Sequence, residues 1–319
     1  MDKLKRITKI WNDGLFFKIF YFLLTLFAFN SITSHRIYMF YVSIFVTLIG
    51  ITVFVYRIMH YKKYIQTKNL MLLGLFCISY IISMFANIQY GILENFQGLI
   101  WLTFQFFLLH ACDVTRTKND YKKEFHLISY IFLIYTFLSA IISFLMLLYK
   151  YNNIRHIAPG LRVINGFIWG RLWGVYTDPN YGAIFSVVSI ILSVYFLILK
   201  KNIAVKVLLS VNILIQLLHS TFSDSRTALI CLSITLPIYL SLVLYNSDNL
   251  KKYKFKTLTN KIIYLSLCAI TFLFCISSNY AIKRIYNQFN SSQSVVISSN
   301  NTNTNSNSTP RSNSSISTN

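Results

Sequence analysis

Apolar residues fill most of this chain in long blocks separated by short polar stretches. A helix needs roughly 20 predominantly apolar residues to cross a bilayer. Nine runs approach that length: Leu15–Ile32, Ile37–Tyr56, Leu70–Ile88, Phe96–Ala111, Leu127–Tyr149, Pro179–Leu199, Ile203–Thr221, Thr227–Tyr245 and Ile262–Tyr280. The pattern predicts an all-α fold, a polytopic integral membrane helix bundle of nine transmembrane helices. It divides the chain into a helical domain over 1–285, carrying a long loop at 150–178, and a tail over 286–319. Of the last 30 residues, 23 are Ser, Asn or Thr. Such a segment cannot bury enough apolar surface to offset its ordering entropy, so the tail is expected to be disordered.

Composition agrees. The chain is 55% hydrophobic and 12% charged, with a net charge of +21. In a soluble protein that charge would suggest nucleic acid. Here its distribution excludes that reading. The N-terminal segment counted through Lys18, 57–69, 112–124, 200–206 and 246–261 together hold 21 of the 30 Lys and Arg residues, and these are alternate loops. The positive-inside rule then puts the N-terminus inside and the C-terminus outside. Lys3, Lys5, Arg6 and Lys9 precede an apolar run as in a signal peptide, but no A-x-A-like site follows, so that run reads as the first span. The five cysteines are scattered singly, at 77, 112, 231, 268 and 275, with no disulfide framework or metal spacing. The wealth of Lys, Asn, Ile, Phe and Tyr fits an AT-rich bacterial gene, and hence a multi-pass protein of the bacterial cytoplasmic membrane.

The two sides use different cations. The inside loops use lysine at 18 of 21 basic positions, the exceptions being Arg6, Arg57 and Arg116. The outside uses arginine: Arg36, Arg155, Arg162, Arg171, Arg226, Arg284 and Arg311 against Lys150 and Lys283. Topology does not distinguish the two cations. Arginine kept outside, with its planar fork for phosphate or carboxylate, suggests an anionic ligand there. Arg36, Arg284 and Arg311 read more simply as headgroup anchors.

Two helix starts face outward. In Gly170–Phe185, "GRLWGVYTDPNYGAIF", Asp178 is a natural N-cap and Pro179 fits the first helical position. The sixth span thus points its amides and positive dipole end outward, beside Arg171. Trp169 and Trp173 suit an interface. Ser186, Ser189 and Ser193 run down one helix face, as in tight helix packing. In the second start, "HSTFSDSRT" over 219–227, Ser223, Asp224 or Ser225 can cap the eighth span. Arg226 then lies in the first turn, where the dipole disfavours a cation. It either shares an anion with the helix end or pairs with Asp224 or Asp178.

Asn212, Gln216 and His219 share one face of the seventh span. Polar groups at such positions line a cavity or hydrogen-bond between helices. The loop 150–178 mixes Arg155, His156, Arg162 and Arg171 with apolar residues and is expected to form an interfacial flap. His156 is a candidate general base; a lone loop histidine is also commonly unremarkable. Lys18 is the one Lys or Arg deep within a span, near an end where it can snorkel.

Arg171, Gly174, Asp178, Pro179 and Asn180 form an R-x-x-G-x-x-x-D-P-N pattern, and Ser225, Arg226, Thr227 and Ala228 open a later span. Together these resemble the hallmarks of the O-antigen ligase/polymerase superfamily, which includes the Wzy-type polysaccharide polymerases. The resemblance implies an inverting membrane glycosyltransferase. It would take a glycan from a polyprenyl-pyrophosphate carrier and attach it to an acceptor glycan, with no cofactor, neither nucleotide sugar nor metal. Arg171 and Arg226 would hold the pyrophosphate, with Arg162, Arg155, Asp178 and Asn180 as further substrate-binding candidates. His156 and His219 are the candidates for a catalytic base. Partners would include the bilayer, a flippase and chain-length regulators. Members of that superfamily usually continue past such a ninth span with a large outer loop and more spans, so the chain is expected to be C-terminally truncated or diverged relative to them.

Two other readings compete. An O-antigen-ligase-like enzyme would deliver the same glycan to another acceptor. A transporter or flippase of lipid-linked oligosaccharide would need polar groups deep in several spans.

Overall fold

The computed structural model describes residues 14–34, 36–64, 68–110, 116–158 and 161–245, with isolated positions between 266 and 284. The expected ninth span, the Ser/Asn/Thr tail, the N-terminal basic residues and Cys112 fall outside the described residues, apart from isolated helical positions within 266–280. The chain divides into two compact units, Met1–His219 and Ser220–Asn319.

The fold is mostly helical. Eight α-helices are described: α1 Leu15–Ala28, α2 Ile37–Met59, α3 Lys68–Ala86, α4 Ile92–Gln105, α5 Lys118–Leu148, α6 Pro179–Leu199, α7 Ile203–Phe222 and α8 Arg226–Tyr245. A π-helical turn, Phe106–His110, extends α4. Among the described residues five helices are long and apolar enough to cross a membrane: α2, α4 with its extension, α5, α6 and α7. Large side chains such as Ile37, Phe40, Tyr41, Leu48, Met71, Leu72 and Ile82 stand exposed along α2 and α3. In water such a surface would drive aggregation. Against lipid tails it costs nothing.

The segment expected to form an interfacial flap is built as a sheet. Strands β1 Asn152–Ala158, β2 Leu161–Ile168 and β3 Arg171–Gly174 pair antiparallel in the order β1-β2-β3. Loop backbone near a bilayer needs partners for its N–H and C=O groups, and two hairpins supply them within the segment.

Two apolar clusters hold the helices. Phe17, Val46, Ile49, Val53 and Leu108 join α1, α2 and the π-helical turn. Leu133, Phe196 and Leu209 join α5, α6 and α7. A polar seam runs beside the second cluster. Asn212 on α7 donates to Ser189 and Ser193 on α6 at 3.1 and 2.8 Å. Gln216 donates to Asn212 at 3.2 Å. Thr136 on α5 meets Ser189 at 3.0 Å. Asn212 thus serves interhelical hydrogen bonding, the second of the two roles expected for that face, while the Gln216 bond stays within α7.

Away from the sheet, the other end of the helices carries the buried charges. Lys18 does not snorkel. It pairs with Glu124 at the start of α5 at 2.6 Å, and Arg116 pairs with the same carboxylate at 2.6 Å. Arg57 donates to the Phe107 and Leu108 carbonyls at 2.5 and 2.8 Å. It thereby ties α2 to the π-helical turn. Both described exceptions to inside lysine therefore occupy positions where a planar, multi-donor cation is needed.

Candidate functional site

The site is built where β3 runs into α6. Asp178 is extended, at φ −145° and ψ 136°, and its carboxylate accepts from the Asn180 amide at 2.6 Å. With Pro179 at the first helical position, the expected cap of α6 is in place. Arg171 opens β3, and its Nη2 donates to Asn180 Oδ1 at 3.0 Å. The guanidinium is thereby stationed at the amino end of α6.

Three elements brace this segment. From α5, Ser143 Oγ accepts from the Val175 amide at 3.2 Å and donates to the Ser139 carbonyl at 2.7 Å. From the α1–α2 loop, the Ser31 amide donates to the Val175 carbonyl at 2.7 Å, and the Thr177 amide donates to the Phe29 carbonyl at 3.0 Å. These bonds flank a single antiparallel bridge between Asn30 and Tyr176. From α7, the His219 ring packs on Tyr176, centroids 5.5 Å apart. A β-carbon on Gly182 would meet Tyr176 Cδ2 at 2.6 Å and His219 Cε1 at 2.9 Å, so only glycine lets α6 approach this closely. Burial pushes the Tyr176 hydroxyl pKa up and keeps the ring neutral.

The expected site residues separate into groups. Arg171, Asp178 and Asn180 meet. Arg155, on β1, donates to the Ser31 carbonyl at 3.3 Å and so ties the sheet to the α1–α2 loop. His156 and Arg162 are cross-strand partners, both exposed, at the β1–β2 turn end of the ladder. Ile168, six residues further along β2, partners Arg171. At the strand rise this puts the His156–Arg162 pair about 20 Å from Arg171. His219 is 1% exposed and lies with Nδ1 3.0 Å from Ser186 Oγ. Its surroundings are helix-packing surfaces.

In the second unit, Ser225 is the cap of α8, its Oγ accepting from the Ala228 amide at 3.3 Å. Arg226 is the first residue of the helix and is exposed. Asp224 takes a left-handed backbone, φ 51°.

Sequence reasoning missed the bracing by Ser143 and by residues 29–34. Neither belongs to a local pattern, because each contact joins segments more than thirty positions apart in the chain. It also missed the β-hairpin that presents Trp169. Gly170, between two apolar runs, was the available signal.

Compared with protein-family models, curated proteins and solved structures, the chain matches none of them. Its function is therefore argued from the site and not from fold. What fold and site define is a mostly helical protein with membrane-length spans and a guanidinium fixed at one helix amino end.

Proposed function

We propose that this chain is a membrane glycosyltransferase that polymerises lipid-linked oligosaccharide units into surface polysaccharide. In this reading it is a multi-pass protein of the bacterial cytoplasmic membrane. Nine spans place the N-terminus inside and the C-terminus and the sheet outside. The observation that carries the reading is Arg171 held on Asn180 at the amino end of α6. A cation there is disfavoured by roughly 0.3–1 kcal/mol. An anion seated beside them is attracted by both the guanidinium and the positive end of the helix dipole.

A polyprenyl pyrophosphate leaving group supplies such an anion. An acceptor hydroxyl attacks the anomeric carbon from the opposite face, the bond to the pyrophosphate oxygen breaks, and the configuration inverts. Charge gathers on the departing diphosphate, where preorganised donors act most strongly. The hydroxyl's proton leaves to solvent. The polar seam across α5, α6 and α7 also favours a transferase over a transporter, because its members bond to one another. A transport path would present them to cargo.

The test is complementation. A polymerase-deleted strain that makes single repeat units is given this chain, and glycan length is read on a gel. Long glycan is expected from the wild type. Single units at unchanged protein level are expected from Arg171→Lys, and from Arg226→Lys at the second motif. Long glycan from Arg171→Lys would refute the reading.

A further inference from the structure

The β2–β3 turn contains an unusual residue. Ile168 pairs with Arg171, so Trp169 and Gly170 are the two central residues of the hairpin turn. Both have positive φ, 54° and 72°, as a type I′ turn requires. Glycine, asparagine and aspartate suit that conformation; a bulky side chain is strained in it. Trp169 is nevertheless there and is 67% exposed. Packing therefore does not account for it. Interfacial anchoring explains an exposed tryptophan but not this position, since the anchor works from any exposed site on the sheet. Strain kept at an exposed position is the usual mark of a ligand contact.

Two neighbours say which ligand. Trp173 stands nearly perpendicular to Trp169, centroids 6.1 Å apart at 70°, so the two indoles form a corner. Among the described residues nothing accepts from the buried Trp173 Nε1–H. The corner thus offers an open aromatic face on Trp169, with the Trp173 Nε1–H turned into the protein. Pyranose rings present polarised C–H groups on one face and hydroxyl acceptors at the rim, and the negative face of an indole attracts the former. Arg171 is two residues from Trp169 in the chain.

We infer that the Trp169–Trp173 corner is a carbohydrate subsite, binding a pyranose ring of the glycan next to the diphosphate held at Arg171. This rests on the transferase reading for the identity of the ligand. The Trp169 face takes the ring, and the Trp173 indole forms the second wall of the corner. The subsite keeps the sugar next to the bond that breaks.

The experiment uses the full chain in lipid nanodiscs. The probe is oligosaccharide released by mild acid from the lipid-linked pool of the producing cells, followed by tryptophan emission. Trp169→Phe isolates the Trp169 contribution by difference, and Trp169→Asn removes the aromatic ring. The wild type should give a saturable change to which Trp169 contributes. Trp169→Asn should weaken binding about tenfold, within the range of a lost aromatic contact. Asparagine relaxes the turn, so the same variant should melt about 2 °C or more higher. A loss of binding in a more stable protein is not misfolding. Equal binding by wild type and Trp169→Asn, or no saturable change in the wild type, overturns the subsite. So does a Trp169 signal quenched by acyl-brominated lipid and unmoved by oligosaccharide, which would make the turn a bilayer anchor. Arg171→Lys in the complementation assay separates the cases. If it still blocks lengthening while Trp169 proves inert, only the subsite fails; if it does not, the transferase reading itself fails.

Discussion

Ser143 Oγ occupies the space that a side chain on Gly174 would need. Gly174 also sits at φ 56°, so this glycine of the R-x-x-G-x-x-x-D-P-N pattern is required for two independent reasons. The motif's spacing is therefore partly a packing requirement, which sets Arg171 at a fixed distance from the α6 cap.

Gly174→Ala should destabilise the protein by about 2–4 kcal/mol, combining overpacking with a strained backbone. Ser143→Ala should cost about 1–3 kcal/mol by leaving the buried Val175 amide without its acceptor. It should not rescue Gly174→Ala, because the Ser143 β-carbon also lies in the way. Thermal melting in detergent measures all three, and recovery in the double variant would disprove the packing account.

The seam of Asn212 predicts an order of effects. Asn212→Ala removes two donated bonds and the one accepted from Gln216. Ser193→Ala removes one. Interhelical hydrogen bonds of this kind are worth about 0.6 kcal/mol each on average, and two of the Asn212 bonds cross to α6, so the Asn212 loss should be at least about twofold larger in the melting experiment. Equal losses would mean that the seam is not cooperative at Asn212.

Glu124 neutralises two cations while itself 9% exposed. Glu124→Ala should cost about 3–5 kcal/mol, because it leaves buried charge without a counter-ion. Adding Lys18→Leu to that variant should recover part of the loss. The yield of folded protein by size-exclusion chromatography reads both, and a further drop in the double variant would show that Lys18 has another partner.

The local features of this protein were legible in its sequence. Asp178 and Pro179 announced the start of α6, and the structure caps it with those residues. The serine stripe on α6 and the Asn212–Gln216–His219 face on α7 were each visible as a spacing, and they proved to be two halves of one seam. What was hidden depends on partners far along the chain. Lys18 meets Glu124 across 106 positions, and no periodicity records that. The sheet was hidden for a different reason. Its strands alternate arginine, histidine and apolar residues much as an interfacial segment does, and one of its turns is made by tryptophan, which no turn rule favours.

The bridge between the α1–α2 loop and the start of α6 has a temporal consequence. Ser31 and Val175 are 144 positions apart. At ribosomal rates of about 5–20 residues per second, Ser31 is synthesised roughly 7–30 seconds before its docking partner. Until Val175 is made, the 29–34 backbone must find other hydrogen-bond partners. The loop between α1 and α2 therefore acquires its final seat late in translation.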